Sequence, residues 1–322
     1  MKASVIIPTY AHRSLYLRDS LMAILEQTVP AEDYEVLVVD NSLSSQAREI
    51  VDQINVEHAG HTVRYFHEPV TGLHNARHLG AREARGEIIV YGEDDVIVHS
   101  QWLEAVLYPF RDSRVGCVGG KVVPKWEAEP PRWVAQFDIA YLSLLDFGDQ
   151  TSELRFPECV WGCNMAVRRE VLYSVGGFNP DGFGDRRLIW LRGDGECGLQ
   201  EKISNRELRI IYEPRAWVYH RIPASRVTPQ YFYRRLFDDG IMHSYVRIRK
   251  MGNCHFLTLQ LLGYGIYCLL QSCQKYLRSI TASRYQVRLR ADAWGWYGRC
   301  LHQLRTAGSS DLRQHILRQS YL

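Results

Sequence analysis

The hydrophobic positions of the first 123 residues follow two rhythms. Short apolar runs, rich in β-branched residues, stand at Ala3–Pro8, Tyr34–Asp40, Thr62–His67, Ile88–Tyr91 and Val115–Val118. Between them, apolar residues recur at helical spacing over about Leu15–Gln27, Ser44–Val56, Leu73–Arg85 and Gln101–Phe110. Such alternation predicts an α/β fold, with a mostly parallel sheet and helices on both faces. In the third helix Ala76, Gly80 and Ala84 share one face, small enough for close packing on the sheet, and Gly86 ends it.

Beyond residue 123 the rhythm breaks. Residues 124–160 carry Pro124, Trp126, Pro130, Pro131 and Trp133 without periodicity, and read as a long loop or adaptable insert. Order resumes at Val160–Arg169, followed by a short helix and the turn Gly176-Gly177-Phe178. Gly193-Asp194-Gly195-Glu196 then opens a helix to about Asn205, and a strand pair, Arg209–Tyr212 and Ala216–Tyr219, ends at His220. Three regions follow: 1–123, 124–233 and a helical 234–322.

The last region differs in charge. From Arg234 onward there are fourteen Lys and Arg against four Asp and Glu, so the net charge of +3 hides a basic tail on an acidic body. Met251 through Gln274 carries no charged side chain and is long enough to span a bilayer. Gln260, Tyr264, Tyr267, Gln271 and Gln274 nevertheless fall on one stripe, which fits a helix lying in the interface. A helical tail packed on the body or on a second copy is the third reading. Arg247, Arg249 and Lys250 precede this segment and Lys275 and Arg278 follow it, so the positive-inside rule picks no orientation. Trp294, Tyr297, Leu301 and Leu304 add a second interfacial stripe. Cations interleaved with apolar and aromatic residues favour a membrane surface over nucleic acid. Eight cysteines without a CxxC pair exclude a usual zinc site and read as free thiols of a reducing compartment. Met1-Lys2-Ala3 runs straight into a strand pattern, which predicts no signal peptide and a cytoplasmic chain.

The candidate chemistry sits at strand ends. Glu93-Asp94-Asp95 directly follows the apolar run Ile88–Tyr91. Alternation along an extended chain puts Glu93 and Asp95 on one side and Asp94 on the other. Two carboxylates on one side repel unless a cation or proton lies between them, and hard oxygen ligands suit Mg²⁺ or Mn²⁺ carrying a phosphate. Thr9-Tyr10 and Asp40-Asn41 end two other strands, and open α/β sheets bind ligands beyond such ends. Asp40 alone also reads as a turn cap.

These pieces resemble the inverting nucleotide-sugar glycosyltransferases of family 2, with the GT-A fold. The resemblance runs from about Lys2 to Arg249 through SVIIPTY (4–10), VVDNSLS (38–44), GLHNARHLGAREARGEII (72–89) and YGEDDV (91–96). It continues through WGCNMAVRREVLYSVGGFN (161–179), GDGECGL (193–199) and YEPRAWVYH (212–220). It implies a Rossmann-like donor half in 1–123 and an acceptor-binding, catalytic half in 124–233. Pro8, Thr9, Tyr10 and Asp40 are then expected around the nucleotide, with Arg77, Glu93 and Asp94 also on the donor. Asp95, last acid of the DxD motif, is expected to ligate Mn²⁺ or Mg²⁺, with His220 completing the metal or diphosphate site. Glu93 is one methylene longer than the usual Asp. The family's Glu-Asp pair is replaced by Gly193-Asp194, with Glu196 two residues on. Aligned through Gly198-Leu199, Asp194 falls on the catalytic-base position and Glu196 is the second choice; both also read as the N-cap and first-turn acid of a helix. Asn164 and Trp161 are expected to face the sugar or acceptor.

The expected reaction is metal-dependent transfer of one sugar to a hydroxyl of a glycan or lipid-linked acceptor, in cell-surface glycan assembly. Donors with UDP or dTDP are favoured because Asp40 can pair with an imide N–H. The expected place is the inner face of the cell membrane, as a peripheral or C-terminally anchored protein that can also form oligomers. No QxxRW motif or set of membrane spans points to a processive synthase. A dehydrogenase needs a glycine-rich turn where Pro8-Thr9-Tyr10 stands, and no GxxxxGK[ST] marks a P-loop. A sugar-nucleotide pyrophosphorylase needs a glycine-rich basic loop at the same place. An inactive nucleotide-binding scaffold at the membrane is the remaining alternative, opposed by the intact acids at 94, 95 and 194.

Overall fold

Strand β1 (Ala3–Thr9) is buried at every position, as an apolar run must be when both faces of a sheet are covered. Helix α1 (Ser14–Leu25), β2 (Tyr34–Asp40), α2 (Gln46–Glu57), β3 (Val63–His67), α3 (Leu73–Glu83) and β4 (Ile88–Tyr91) continue the alternation. All lie within three residues of their expected bounds. The computed structural model describes residues 1–10, 14–42, 44–58, 62–254 and 256–322; Leu43, within the VVDNSLS segment, lies outside them.

The chain goes on through β5 (Val96–Val98), α4 (Trp102–Leu107), β6 (Val115–Gly119), β7 (Val122–Trp126), β8 (Ser152–Leu154), β9 (Met165–Arg168) and α5 (Arg169–Ser174). Then come α6 (Gly195–Ser204), β10 (Arg209–Tyr212), β11 (Val218–Ile222), α7 (Pro229–Met251), α8 (Leu257–Thr281), α9 (Gln286–Gly308) and α10 (Ser310–Leu317). An eight-stranded sheet runs β3-β2-β1-β4-β9-β6-β10-β8. Its β1–β4 half is parallel, and β9 enters antiparallel between β4 and β6. A three-stranded sheet, β5-β11-β7, stands apart from it. Register places Thr9 beside Asp40, and the Gly92 N–H donates to Ile6 O at 3.1 Å, so the polar ends of β1, β2 and β4 open on the same edge.

Three expectations are corrected. Residues 124–160 are not structureless: they hold the end of β7, two short 3₁₀ turns and β8. The expected strand pair splits, β10 joining the large sheet between β6 and β8 while β11 lies between β5 and β7. An apolar run reports burial and not which sheet buries it. The region boundaries at 123 and 233 both cut elements, β7 and α7, and Phe232 and Leu236 of α7 belong to the main core.

The C-terminal helices pack through small residues. A Cβ on Gly240 of α7 would stand 2.0 Å from Gly295 O of α9, and one on Gly298 2.3 Å from Phe237 O, so the two backbones touch. Helix α8 buries Leu257, Leu261, Gly265 and Cys268. Among the described residues, no helix is long and apolar enough to cross a membrane, which removes the bilayer-spanning reading of 251–274.

Asn164, expected at the sugar, is a core knot. Its Oδ1 accepts from Trp102 Nε1 at 2.8 Å, and its Nδ2 donates to Lys121 O at 3.1 Å and Ala216 O at 2.7 Å. The side chain is fully buried. It ties α4 to the links before β7 and β11, and a short carboxamide is the group that offers one acceptor and two donors there. Asn164→Ala leaves Trp102 Nε1 and Ala216 O unpaired, while Lys121 O keeps the Val218 N–H at 3.0 Å, so urea denaturation should show a loss of about 3 kcal/mol. Nucleotide affinity measured well below the melting temperature should stay as it was; an unchanged unfolding midpoint would remove the knot.

Candidate active site

Beyond the edge shared by β1, β2 and β4 lies a cavity of about 360 Å³ whose walls include Pro8, Thr9, Tyr10, Arg77, Glu93 and Asp94. The acid triplet divides as alternation requires. Asp94 turns toward β1, where Thr9 Oγ1 donates to its Oδ2 at 2.6 Å and Ser20 Oγ to its carbonyl at 2.8 Å. Glu93 and Asp95 turn the other way and converge with His220 of β11, the ligand atoms of all three lying within 4.8 Å of one another.

His220 is oriented for that role. Its Nδ1 stands 3.1 Å from Leu142 O, a carbonyl that only an N–H can satisfy, so Nε2 keeps its lone pair. Nε2 lies 3.5 Å from Asp95 Oδ1 and accepts from Arg226 Nη1 at 2.9 Å. Arg226 Nη2 also donates to Asp95 Oδ2 at 3.0 Å. Two carboxylates and one imidazole form a hard, compact donor set that fits Mn²⁺ or Mg²⁺. Glu93, which the resemblance puts on the donor and strand alternation puts beside Asp95, is part of this set.

Arg77 of α3 links this end of the cavity to the other. Its Nη2 donates to Glu93 Oε1 at 3.2 Å, and its Nη1 is 3.5 Å from Glu196 Oε2 of α6. It is 1% exposed, with its guanidinium 5.1 Å from the Phe178 ring centroid. A Cβ on Gly162 would stand 2.2 Å from Nη2, so only glycine leaves the guanidinium its place. Burial works against its charge, but Glu196 and Glu93 outweigh that and hold it ionised.

The two candidate bases stand in different surroundings. Glu196 lines the cavity; Asp194 does not. Asp194 turns into the protein, where its Oδ1 accepts from Asn179 Nδ2 at 2.7 Å, and Lys202 Nζ in turn donates to Asn179 Oδ1 at 3.2 Å. Burial raises the pKa of both carboxyls; at Glu196 the nearby Arg77 works against the rise. Asp194 and Glu196 face different ways because they straddle the start of α6, where each residue turns a side chain by about 100°.

Other expected residues divide. Pro8, Thr9 and Tyr10 stand on the wall. Asp40 is fully buried off the cavity: its Oδ1 accepts from Ser42 N (2.9 Å) and Oγ (2.7 Å), and its Oδ2 from Tyr65 OH (3.1 Å), the turn-capping reading. Its neighbour Asn41 reaches the wall instead. Neither Asn164 nor Trp161 lines the cavity; Trp161 Nε1 donates to Leu144 O at 2.9 Å. The cysteines are not all free. Cys159 and Cys197 form a disulfide across a Cα–Cα distance of 5.8 Å, tying the Trp161 segment to the helix that carries Glu196. A separation of 38 residues hid the pair, and the case for a reducing compartment loses its basis.

Asp181, Arg192, Arg226 and Arg235 also line the cavity and were missed. Burial pushes the Asp181 pKa up, but Arg192, Arg77 and Arg235 prevail and hold it low. Its signal was the turn Gly176–Gly182, and that of Arg226 a cation six residues past His220.

The family model for glycosyl transferase family 2 matches residues 4–176, more than half of the chain. The chain belongs to that family. This family 2 glycosyltransferase is 24% identical over 247 residues to a glucosyl-dolichyl phosphate glucuronosyltransferase of Haloferax volcanii, covering 74% of this chain and 75% of that one. It is also 24% identical over 243 residues to the succinoglycan biosynthesis protein ExoM of Rhizobium meliloti, covering 74% of each. Among solved structures, the mannosyltransferase PcManGT of Pyrobaculum calidifontis, in complex with GDP-Man and Mn²⁺, superposes with a TM-score of 0.58 at 19% identity. That match covers 96% of this chain and 75% of the other, and it shows the GT-A fold. The family match ends before Asp181, so the walls contributed by α6, by Arg226 after β11 and by α7 lie outside it.

Proposed function

We propose that this glycosyltransferase is inverting and metal-dependent, moving a single sugar from a nucleoside-diphosphate sugar to a hydroxyl of a glycan or lipid-linked acceptor. The observation that carries the reading is the placement of two carboxylate groups around one cavity. Glu93, on the wall, meets Asp95 and His220 behind it, Glu196 stands on the same cavity, and Arg77 bridges Glu93 to Glu196. Inversion needs a base on the side of the sugar opposite the leaving nucleotide, and Glu196, across Arg77 from Glu93, is the carboxylate proposed for it. Glu196 takes the acceptor's proton; its raised pKa makes it a stronger base than an ordinary glutamate. Glu93, Asp95 and His220 would hold a divalent cation, which when bound offsets the charge growing on the leaving diphosphate. Thr9 fixes Asp94 and so the turn bearing both ligands. The preference for UDP or dTDP rested on Asp40, whose oxygens are already hydrogen-bonded inside the protein, so the proposal stops at the diphosphate.

We further propose a membrane surface as the place of work, with α8 lying on it. Leu259, Ile266, Leu270, Leu277 and Ile280 form an exposed apolar stripe opposite its buried face, and Arg247, Lys250, Lys275 and Arg278 bracket the helix. Such a stripe fits lipid better than nucleic acid.

Glu196→Gln should cut transfer about a thousandfold while donor binding holds; Asp194→Asn should keep most of the transfer and lose stability. If Asp194→Asn is the silent enzyme and Glu196→Gln the active one, the base is Asp194. The same experiment rules on an inactive scaffold, since the wild type must then transfer nothing. Because the base works deprotonated, activity should rise with pH through a midpoint above the ordinary glutamate range, and the Gln variant should lose that limb. Asp95→Asn should weaken nucleotide binding in Mn²⁺ and leave binding in EDTA alone; equal losses in both would remove the metal from this site. In sedimentation with phosphatidylglycerol–phosphatidylcholine vesicles, Ile266→Glu with Leu270→Glu should leave the protein in the supernatant. Wild type that stays there too would end the membrane proposal.

A further inference from the structure

Arg226 stands where the metal reading of this site has a difficulty. It lies on a 3₁₀ turn (Ala224–Val227) just past β11, and its guanidinium spans the two groups that a cation would need most. Nη1 donates to His220 Nε2 at 2.9 Å and Nη2 to Asp95 Oδ2 at 3.0 Å. An imidazole nitrogen has one lone pair. With Nδ1 committed to Leu142 O, His220 has only Nε2 to offer a metal, and Arg226 takes it. The imidazole cannot accept from Arg226 and ligate a metal at the same time.

A displaced guanidinium needs new acceptors, because a partly buried cation without partners is costly. Arg226 lines the same cavity as Glu93, Asp94 and Arg77, so it would be released toward the place where the leaving diphosphate is proposed to lie. A planar guanidinium matches a diphosphate as well as it matches a carboxylate. We propose that Arg226 and a divalent cation take turns on Asp95 and His220, and that the donor's diphosphate receives the displaced guanidinium. Metal and nucleotide then bind as a coupled pair. Metal alone must break two charge-assisted contacts, and nucleotide alone finds Arg226 already engaged. Each favours the other by the same factor, as linkage demands. The arrangement would keep the site from filling with metal before a donor arrives. It rests on the metal reading above and adds a residue outside the matched family region.

The test is Mn²⁺ binding, read from the free-ion electron paramagnetic resonance signal, with and without UDP or GDP. In the wild type, nucleotide should tighten Mn²⁺ binding about tenfold or more. Arg226→Ala should bind Mn²⁺ alone about tenfold tighter than wild type, and nucleotide should then add little. Arg226→Lys, which keeps the charge, should restore part of the coupling, and melting curves would confirm that both variants are folded. Mn²⁺ affinity that is unchanged or weaker in Arg226→Ala, or coupling as strong as in wild type, overturns the exchange. Absence of Mn²⁺ binding in wild type and Arg226→Ala, with nucleotide present, overturns the metal reading itself.

Discussion

The site depends on one buried cation. Arg77 places a guanidinium between Glu93 and Glu196, carboxylates that lie 103 residues apart in sequence, one just past β4 and the other in the first turn of α6. Without it, two nearby anions would stand largely out of water, and breaking a buried pair typically costs 3–5 kcal/mol. The surroundings are shaped to keep it. Gly162 gives it space, Phe178 stacks against it, and α3 holds its backbone on the sheet through Gly80, where a Cβ would stand 2.5 Å from the Ile6 side chain. Arg77 thus fixes how far the proposed base stands from the proposed metal ligands, which is the dimension that an inverting transfer has to get right.

The sheet explains why those walls can meet. The parallel β1–β2–β4 ends set polar side chains along one edge, as open α/β sheets do. The insertion of β9 antiparallel to β4 and β6 then returns the chain across the sheet, so that the segments after it can close the cavity from the far side. The small sheet contributes the last of the proposed ligands: β11 pairs His220 with Val96, the residue after Asp95. A single backbone pairing therefore carries the acid triplet and the histidine into one cluster.

The first half of the fold was legible because its signals are local. Continuous β-branched runs and 3.6-residue spacing located the strands and helices through β4, and alternation correctly divided Glu93-Asp94-Asp95. What failed was anything set by the partner across space. Asn164 and Asp40 are polar residues near strand ends, which describes a ligand contact and a structural bond equally well; the structure spends them on Trp102 and Ser42. Asp194 and Glu196 differ by two positions at a helix start, and sequence alone does not record that one side chain bonds Asn179 while the other reaches the cavity. Cys159 with Cys197, and Arg226 with Asp95, are pairings that no periodicity records.

Two of the arginines on this cavity, Arg77 and Arg226, have settings that give them opposite roles. Arg77 is 1% exposed, sits within a helix, and is held on two sides by carboxylates and below by an aromatic ring. Moving it would strand both acids, so it behaves as part of the scaffold. Arg226 is 14% exposed and springs from a short 3₁₀ turn, where a few backbone torsions can swing the side chain without disturbing a sheet or helix. Both groups that it holds are better suited to a divalent ion, and the cavity beside it is where a diphosphate would bring replacement acceptors. Equal charge and similar contacts therefore do not make the two equivalent. Burial and backbone context make one permanent and leave the other free to be exchanged, and a donor site that binds and releases a charged leaving group at each turnover has use for both.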